Sequence, residues 1–203
     1  MAQLLVVRHA LAGSNRGGIA SCAIPGAGLT PEGVEQARRL RDVLADEPIE
    51  VAVSSELART QETLRLVLDS RDVPVLVIPD LNEIAFGSFD GGPLDTYRAW
   101  AAEQAPDERA PGGGESRADA AARFARALGL VLERPERSVL VVGHALWLRY
   151  VLDAAEGLVP AALMAPVEHA AAFRLDRGAA ERAVTLLDGW SRSPRFRDPP
   201  NQG

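Results

Sequence analysis

Apolar residues along the chain fall into two kinds of stretch. Short unbroken runs occur at "QLLVVR" (3–8), "EVAVSS" (50–55), "VPVLVIP" (73–79) and "SVLVVG" (138–143). Such runs, rich in branched residues and bounded by turn signals, predict strands, and those at 3–8 and 138–143 fit buried ones. Between them lie stretches with apolar residues at every third or fourth position. "LTPEGVEQARRLRDVLADEP" places Val34, Ala37, Leu40, Val43 and Leu44 on one face, with Thr30 as N-cap and Pro31 at the first helical position. "ELARTQETLRLVLDS" predicts a second helix capped by Ser54 or Ser55, "SRADAAARFARALGLVLE" a helix over 116–133, and "ALWLRYVLDAAEG" another. "AAAFRLD" and "AVTLLDG" predict two late strands. Strands alternating with helices indicate an α/β fold: a three-layer sandwich with a mostly parallel central sheet and helices on both faces.

Two segments break the pattern. Leu11 to Gly28 is rich in Gly and Ser, carries Pro25 and predicts a loop. Asp80 to Ser116 combines turns, aromatics, carboxylates and a glycine run, and predicts a loop-rich excursion with one helix near Asp95–Glu103. Long loops in compact domains are usually functional. The polar, proline-rich end, 191–203, predicts a flexible tail on a single domain spanning 1–203.

Composition narrows the class. The net charge is −6 with no basic stretch, so nothing suggests nucleic-acid or membrane partners. Every basic side chain is Arg. Cys22 is the only cysteine, which rules out an intrachain disulfide and a cysteine-based zinc site. The first residues carry no basic leader, and a cytoplasmic protein is expected. No metal-ligand cluster is evident, so neither a metal nor another cofactor is expected. A homodimer is left open.

The chemistry lies in a near-duplication. "VVRHAL" (6–11) and "VVGHAL" (141–146) each end an apolar run at a histidine. They have no fixed period and different surroundings, so an internal repeat is not indicated. Ligands of α/β sheets bind beyond the carboxyl ends of strands, where both histidines fall, so the two motifs read as two walls of one site. Arg8 precedes His9. His144 precedes a predicted helix N-terminus, a natural anion site. Arg59, early in a helix that follows two serines, is placed to fork onto phosphate oxygens. Glu83, flanked by Leu81, Ile84 and Phe86, is partly desolvated, which favours a general acid. His169 lacks such a setting and reads as structural or peripheral.

Taken in order, "VVRHALAGSN", "LTPEGVEQA", "SSELARTQET", "LNEIAFGSFDG", "GGGES" and "VVGHALWLR" resemble the motif series of the histidine phosphatase (phosphoglycerate mutase-like) superfamily. The resemblance implies a phosphoglycerate mutase-like fold and a set of roles. His9 is the nucleophile that accepts the phosphoryl group, and Arg8 and Arg59 clamp the phosphate. His144 donates a hydrogen bond to a phosphate oxygen, Glu83 protonates the leaving oxygen, and Asn15 contacts substrate. The backbone of Ala145 approaches phosphate. The implied function is a metal-independent phosphomonoesterase that hydrolyses a small phosphorylated metabolite through a phosphohistidine. Three alternatives stay open: phosphoglycerate mutase-type transfer, a protein-phosphohistidine phosphatase, and a catalytically weak binding protein. Where relatives often carry Gly after each histidine this chain has Ala10 and Ala145, and Leu11, Ala12 and Leu146 replace other frequent residues. These departures bear on substrate identity.

Overall fold

A computed structural model describes residues 3–197. Five strands form one sheet in the order β3-β2-β4-β1-β5. They are β1 (Gln3–Arg8), β2 (Val51–Ser54), β3 (Val75–Val77), β4 (Ser138–Gly143) and β5 (Ala172–Leu175). The first four are mutually parallel, and β5 runs antiparallel along β1. The fold is α/β, with helices on both faces.

Alternation along the central strands divides the core. Leu4 and Val6 of β1, Val51 and Val53 of β2, and Val139 and Val141 of β4 face one side. They pack against α5 (Arg117–Leu132), α6 (Ala145–Ala155) and α7 (Arg177–Arg192). Leu5, Val7, Ala52, Leu140 and Val142 face the other side. There they meet Leu40 of α2 (Pro31–Val43) and Leu64 and Val67 of α3 (Ala58–Leu68). A strand buried on both faces has no polar positions to alternate with, hence the unbroken apolar runs.

Thr30 caps α2 through its hydroxyl, which accepts from Gly33 N at 3.0 Å. Ser116 and Asp119 form a reciprocal capping box at the start of α5. The Leu11–Gly28 loop contains a single helical turn, α1 (Gly13–Arg16), and the excursion holds α4 (Leu94–Glu103).

Three expectations are corrected. "AVTLLDG" is not a strand: Ala183–Gly189 lies inside α7. Asp176 caps that helix, accepting from Ala179 N at 2.7 Å, and its buried Ala179, Ala180, Ala183, Leu187 and Trp190 recur at helical spacing. The α3 N-cap is Leu57, neither Ser54 nor Ser55, and it makes no side-chain cap bond. The predicted tail is held as far as Arg197, which pairs with Asp153 at 2.8 Å, while Trp190 Nε1 donates to Arg195 O at 2.7 Å. Residues 198–203 lie outside the described residues. Among the described residues no helix is long and apolar enough to cross a membrane.

Candidate functional site

The two histidine motifs are neighbours in the sheet. β1 and β4 pair in parallel register with Val6 opposite Val141, Val7 opposite Val142 and Arg8 opposite Gly143. His9 and His144 therefore leave the sheet side by side, and their rings stand 5.3 Å apart in a T-shaped arrangement. Both are almost wholly buried.

The residue before each histidine differs for steric reasons. A Cβ on Gly143 would come within 2.7 Å of Trp147 Cε3, so the indole requires a glycine there. Opposite it, Arg8 has room for a side chain. Its Nη1 donates to Val167 O at 2.6 Å.

Hydrogen bonds fix the protonation of both rings. His9 Nδ1 lies 2.7 Å from Ala10 O, and a carbonyl only accepts, so Nδ1 carries the hydrogen and Nε2 the lone pair. Arg59 Nε donates to that lone pair at 3.2 Å. Arg59 Nη2 lies 3.3 Å from His144 Nδ1, and a guanidinium only donates, so His144 carries its hydrogen on Nε2. That nitrogen donates to Ser55 Oγ at 2.9 Å. Ser55 passes its own hydrogen to Thr60 Oγ1 at 2.8 Å, and Thr60 donates to Leu57 O at 2.8 Å. Burial, reinforced by the Arg59 charge, holds both histidines well below the usual imidazole range, so both are neutral at pH 7. For a nucleophile this is the productive state, because a protonated imidazole has no lone pair to donate.

The surrounding cations are buried as well. Arg59 is 2% exposed and donates to Ser21 O at 2.9 Å, and among the described residues its Nη1 has no partner. Burial lowers Arg8 to about 10, so it remains charged at neutral pH, and its Nε also has no partner. Arg8, Asn15, Arg59, Glu83 and Ala145 line one cleft at the carboxyl end of the sheet. Ile19, Ile84, Phe86, Leu94, Tyr97 and Met164 supply its apolar wall. Asn15 accepts from Ala12 N at 3.2 Å, which closes the α1 turn. Ala145 begins α6, whose first-turn N–H groups lack helical partners.

Glu83 sits between two short 3-10 turns, Pro79–Leu81 and Gly87–Phe89, on a braced loop. Arg123 of α5 donates to Asp80 O at 2.9 Å and Asn82 O at 2.7 Å, and pairs with Glu115 at 2.7 Å. Glu115 in turn accepts from Ala85 N at 2.9 Å. The "GGGES" run thus anchors the loop that carries Glu83.

Several features differ from the sequence reading. His169 is not peripheral: its ring lies 5.4 Å from that of His9, and its Nδ1 donates to His9 O at 2.8 Å. Ala10 N and Leu11 N are taken by Thr63 Oγ1 at 3.0 Å and Gln36 Oε1 at 2.8 Å. The amides after His9 therefore hold the loop and are not offered to an anion. His144 presents a lone pair toward Arg59, so donating to a phosphate oxygen requires a second proton on the ring. Thr63, Arg117 and Arg123 were not singled out in the sequence, where Ser55 reads as a candidate helix cap ahead of Arg59. The hydroxyls of the "SSELARTQET" block were the available signal. Cys22 stays apart from this chemistry, since burial raises its thiol to about 11.

His9 and His144 lie buried behind this cleft and meet it through Arg59, which hydrogen-bonds both rings and is itself part of the lining. The chain belongs to the histidine phosphatase superfamily (branch 1), whose family model matches residues 4–188. It is 30% identical over 185 residues to the adenosylcobalamin/alpha-ribazole phosphatase of Escherichia coli K12, covering 87% of this chain and 86% of that protein. It is 34% identical over 147 residues to a 2,3-bisphosphoglycerate-dependent phosphoglycerate mutase of Gloeobacter violaceus, covering 65% and 66%. Among solved structures, the alpha-ribazole phosphatase of Shigella flexneri superposes with a TM-score of 0.74 at 29% identity, covering 86% and 90%. A mycobacterial glucosyl-3-phosphoglycerate phosphatase complexed with VO3 superposes with a TM-score of 0.70 at 26% identity, covering 87% and 93%.

Proposed function

We propose that this protein hydrolyses a small phosphorylated metabolite through a phosphohistidine on His9, with no metal ion. The carrying observation is the His9 ring, buried, neutral and tautomerically fixed, with its Nε2 lone pair beside the Arg59 guanidinium. In the first half-reaction Arg59 Nε–H leaves the Nε2 lone pair for a phosphoryl oxygen, Nε2 attacks phosphorus, the P–O bond to the alcohol breaks, and Glu83 gives its proton to the departing oxygen. In the second, Glu83 takes a proton from water, water attacks phosphorus, and the P–N bond breaks to release phosphate and neutral His9. Arg8 and Arg59 balance the charge on the equatorial oxygens, which is where a phosphoryl transition state needs help. His144 joins them once the incoming dianion has drawn a second proton onto its ring. Asn15 and the start of α6 at Ala145 complete the wall.

The named phosphatases among the relatives support hydrolysis over transfer. The test is phosphate release from p-nitrophenyl phosphate without added metal, with His9→Ala as the control. We expect loss of at least about 10³-fold in the variant, as for removal of a nucleophile. Conversion of 3-phosphoglycerate with a bisphosphate primer and negligible phosphate release would replace hydrolysis by mutase-type transfer. Turnover of neither, with tight phosphate binding, would identify a binding protein.

A further inference from the structure

The first turn of α5 holds a cation that the proposed phosphoryl chemistry does not use. Arg117 is 8% exposed, yet it reaches the wall of the cleft beside Arg8 and extends into a second lobe bounded by Met164–Val167. Its Nε and Nη1 are buried with no hydrogen-bond partner, and among the described residues no carboxylate pairs with it. Its guanidinium lies 5.9 Å from the centroid of the Tyr97 ring. The buried Tyr150 hydroxyl is close enough to interact with this guanidinium, but among the described residues it makes no hydrogen bond of good geometry. Burying an unpaired charge is costly, and unmade hydrogen bonds add to the cost. A ligand group that accepts from this guanidinium offsets both costs.

Arg98 of α4 lines the same two lobes. It is largely exposed, with Asp95 at 3.1 Å as its ion-pair partner, so one fork remains free to turn inward. Four arginines and one carboxylate, Glu83, line the first lobe. Arg8 and Arg59 suffice for one phosphoryl group, which leaves Arg98 and Arg117 facing the remainder of the substrate.

We infer that Arg117 and Arg98 form a second oxyanion subsite, and that the preferred substrate carries a carboxylate or a second phosphate besides the phosphoryl group it loses. This inference rests on the proposed phosphoryl site for the position of the first group. The Met164–Val167 segment borders the second group, and the Tyr97 face closes the subsite from beneath.

The test compares matched phosphate esters that differ in the second group. Glycerol 3-phosphate against 3-phosphoglycerate adds a carboxylate, and fructose 6-phosphate against fructose 1,6-bisphosphate adds a phosphate. Turnover gives kcat/KM for each, and calorimetry gives Kd on His9→Ala. The wild type should favour the doubly anionic member of at least one pair by ten-fold or more. Arg98→Gln, on an exposed side chain, and Arg117→Gln, checked for folding by circular dichroism, should each cut that ratio at least five-fold. Arg192→Gln, on the remote surface, should leave it unchanged. The pair that responds identifies the group. No preference in the wild type, or a ratio indifferent to Arg98→Gln and to a folded Arg117→Gln, overturns the subsite. If no ester is turned over, the hydrolytic reading fails. The Kd ratio then decides the subsite alone.

Discussion

Ser55 Oγ lies 2.9 Å from His144 Nε2 and receives its hydrogen. Every later link in the chain, through Thr60 to Leu57 O, has a defined direction, because the last acceptor is a carbonyl. The second histidine therefore turns an unprotonated Nδ1 toward Arg59 and the phosphoryl site, and it must gain a proton to serve as a donor.

Phosphate binding should accordingly take up protons near pH 7. Calorimetry in buffers of different ionisation enthalpy should report close to one proton per phosphate bound, and none in His144→Gln. Ser55→Ala leaves the His144 donor unsatisfied and should lower stability by about 1–3 kcal/mol. Binding without proton uptake would require Arg8 and Arg59 to hold the anion with His144 neutral.

The covalent intermediate should reside on His9. A rapidly quenched reaction with radiolabelled ester should give acid-labile, base-stable label on the peptide containing His9 and none on that containing His144. Label on His144 would reverse the two roles.

Leaving-group dependence should expose the acid. Glu83→Gln should slow alkyl phosphates by about 10²–10⁴-fold and p-nitrophenyl phosphate far less, since nitrophenolate departs without a proton. Arg123→Met keeps the carboxylate but removes the brace on its loop. It should reproduce the same bias at about 10- to 100-fold, the cost of misplacing a catalytic group. Equal losses on both substrate types would make Glu83 a phosphate-positioning residue.

Stability should fall on the acid side. All three histidines are held below the ordinary value of 6.5, chiefly by burial. Below pH 6.5 the unfolded chain binds protons that the folded chain does not, so unfolding becomes easier as pH drops, until the folded-state values are reached. Above pH 6.5 these groups contribute no slope. Denaturant midpoints measured from pH 7.5 to 4.5 should decline from about 6.5 downward, and less steeply in His169→Gln.

Gly143→Ala should destabilise the protein by about 1–3 kcal/mol, since the added methyl meets the Trp147 ring at 2.7 Å. Pairing it with Trp147→Leu should recover part of that loss. Chemical denaturation of the single and double variants measures the coupling.

The parts legible in the sequence follow from local physics. β1 and β4 show because both faces are buried, and α2 and α5 because their caps stand at the right positions. Strand ends bring His9 and His144 together, so that pairing could be inferred from the motifs alone. Ala183–Gly189 misleads because Val-Thr-Leu-Leu favours a strand locally, while Asp176 and the alanine spacing commit the segment to a helix. His169 misleads for a different reason. Its place beside His9 depends on how the chain returns into β5, and no local pattern encodes that. Arg117 and Arg123 lie on one helix with the same side chain, yet one lacks a partner and the other anchors a loop. Only the tertiary arrangement tells them apart.

The register of β1 against β4 has a consequence for refolding. Arg8 stands opposite Gly143 only if every pair from Gln3 with Ser138 onward is correctly aligned. A slip by one residue would send Leu5 and Val7 to the wrong layer and part the two histidines together. Recovery of catalysis after dilution from denaturant thus marks the moment the middle of the sheet zips, and activity serves as a clock for that event.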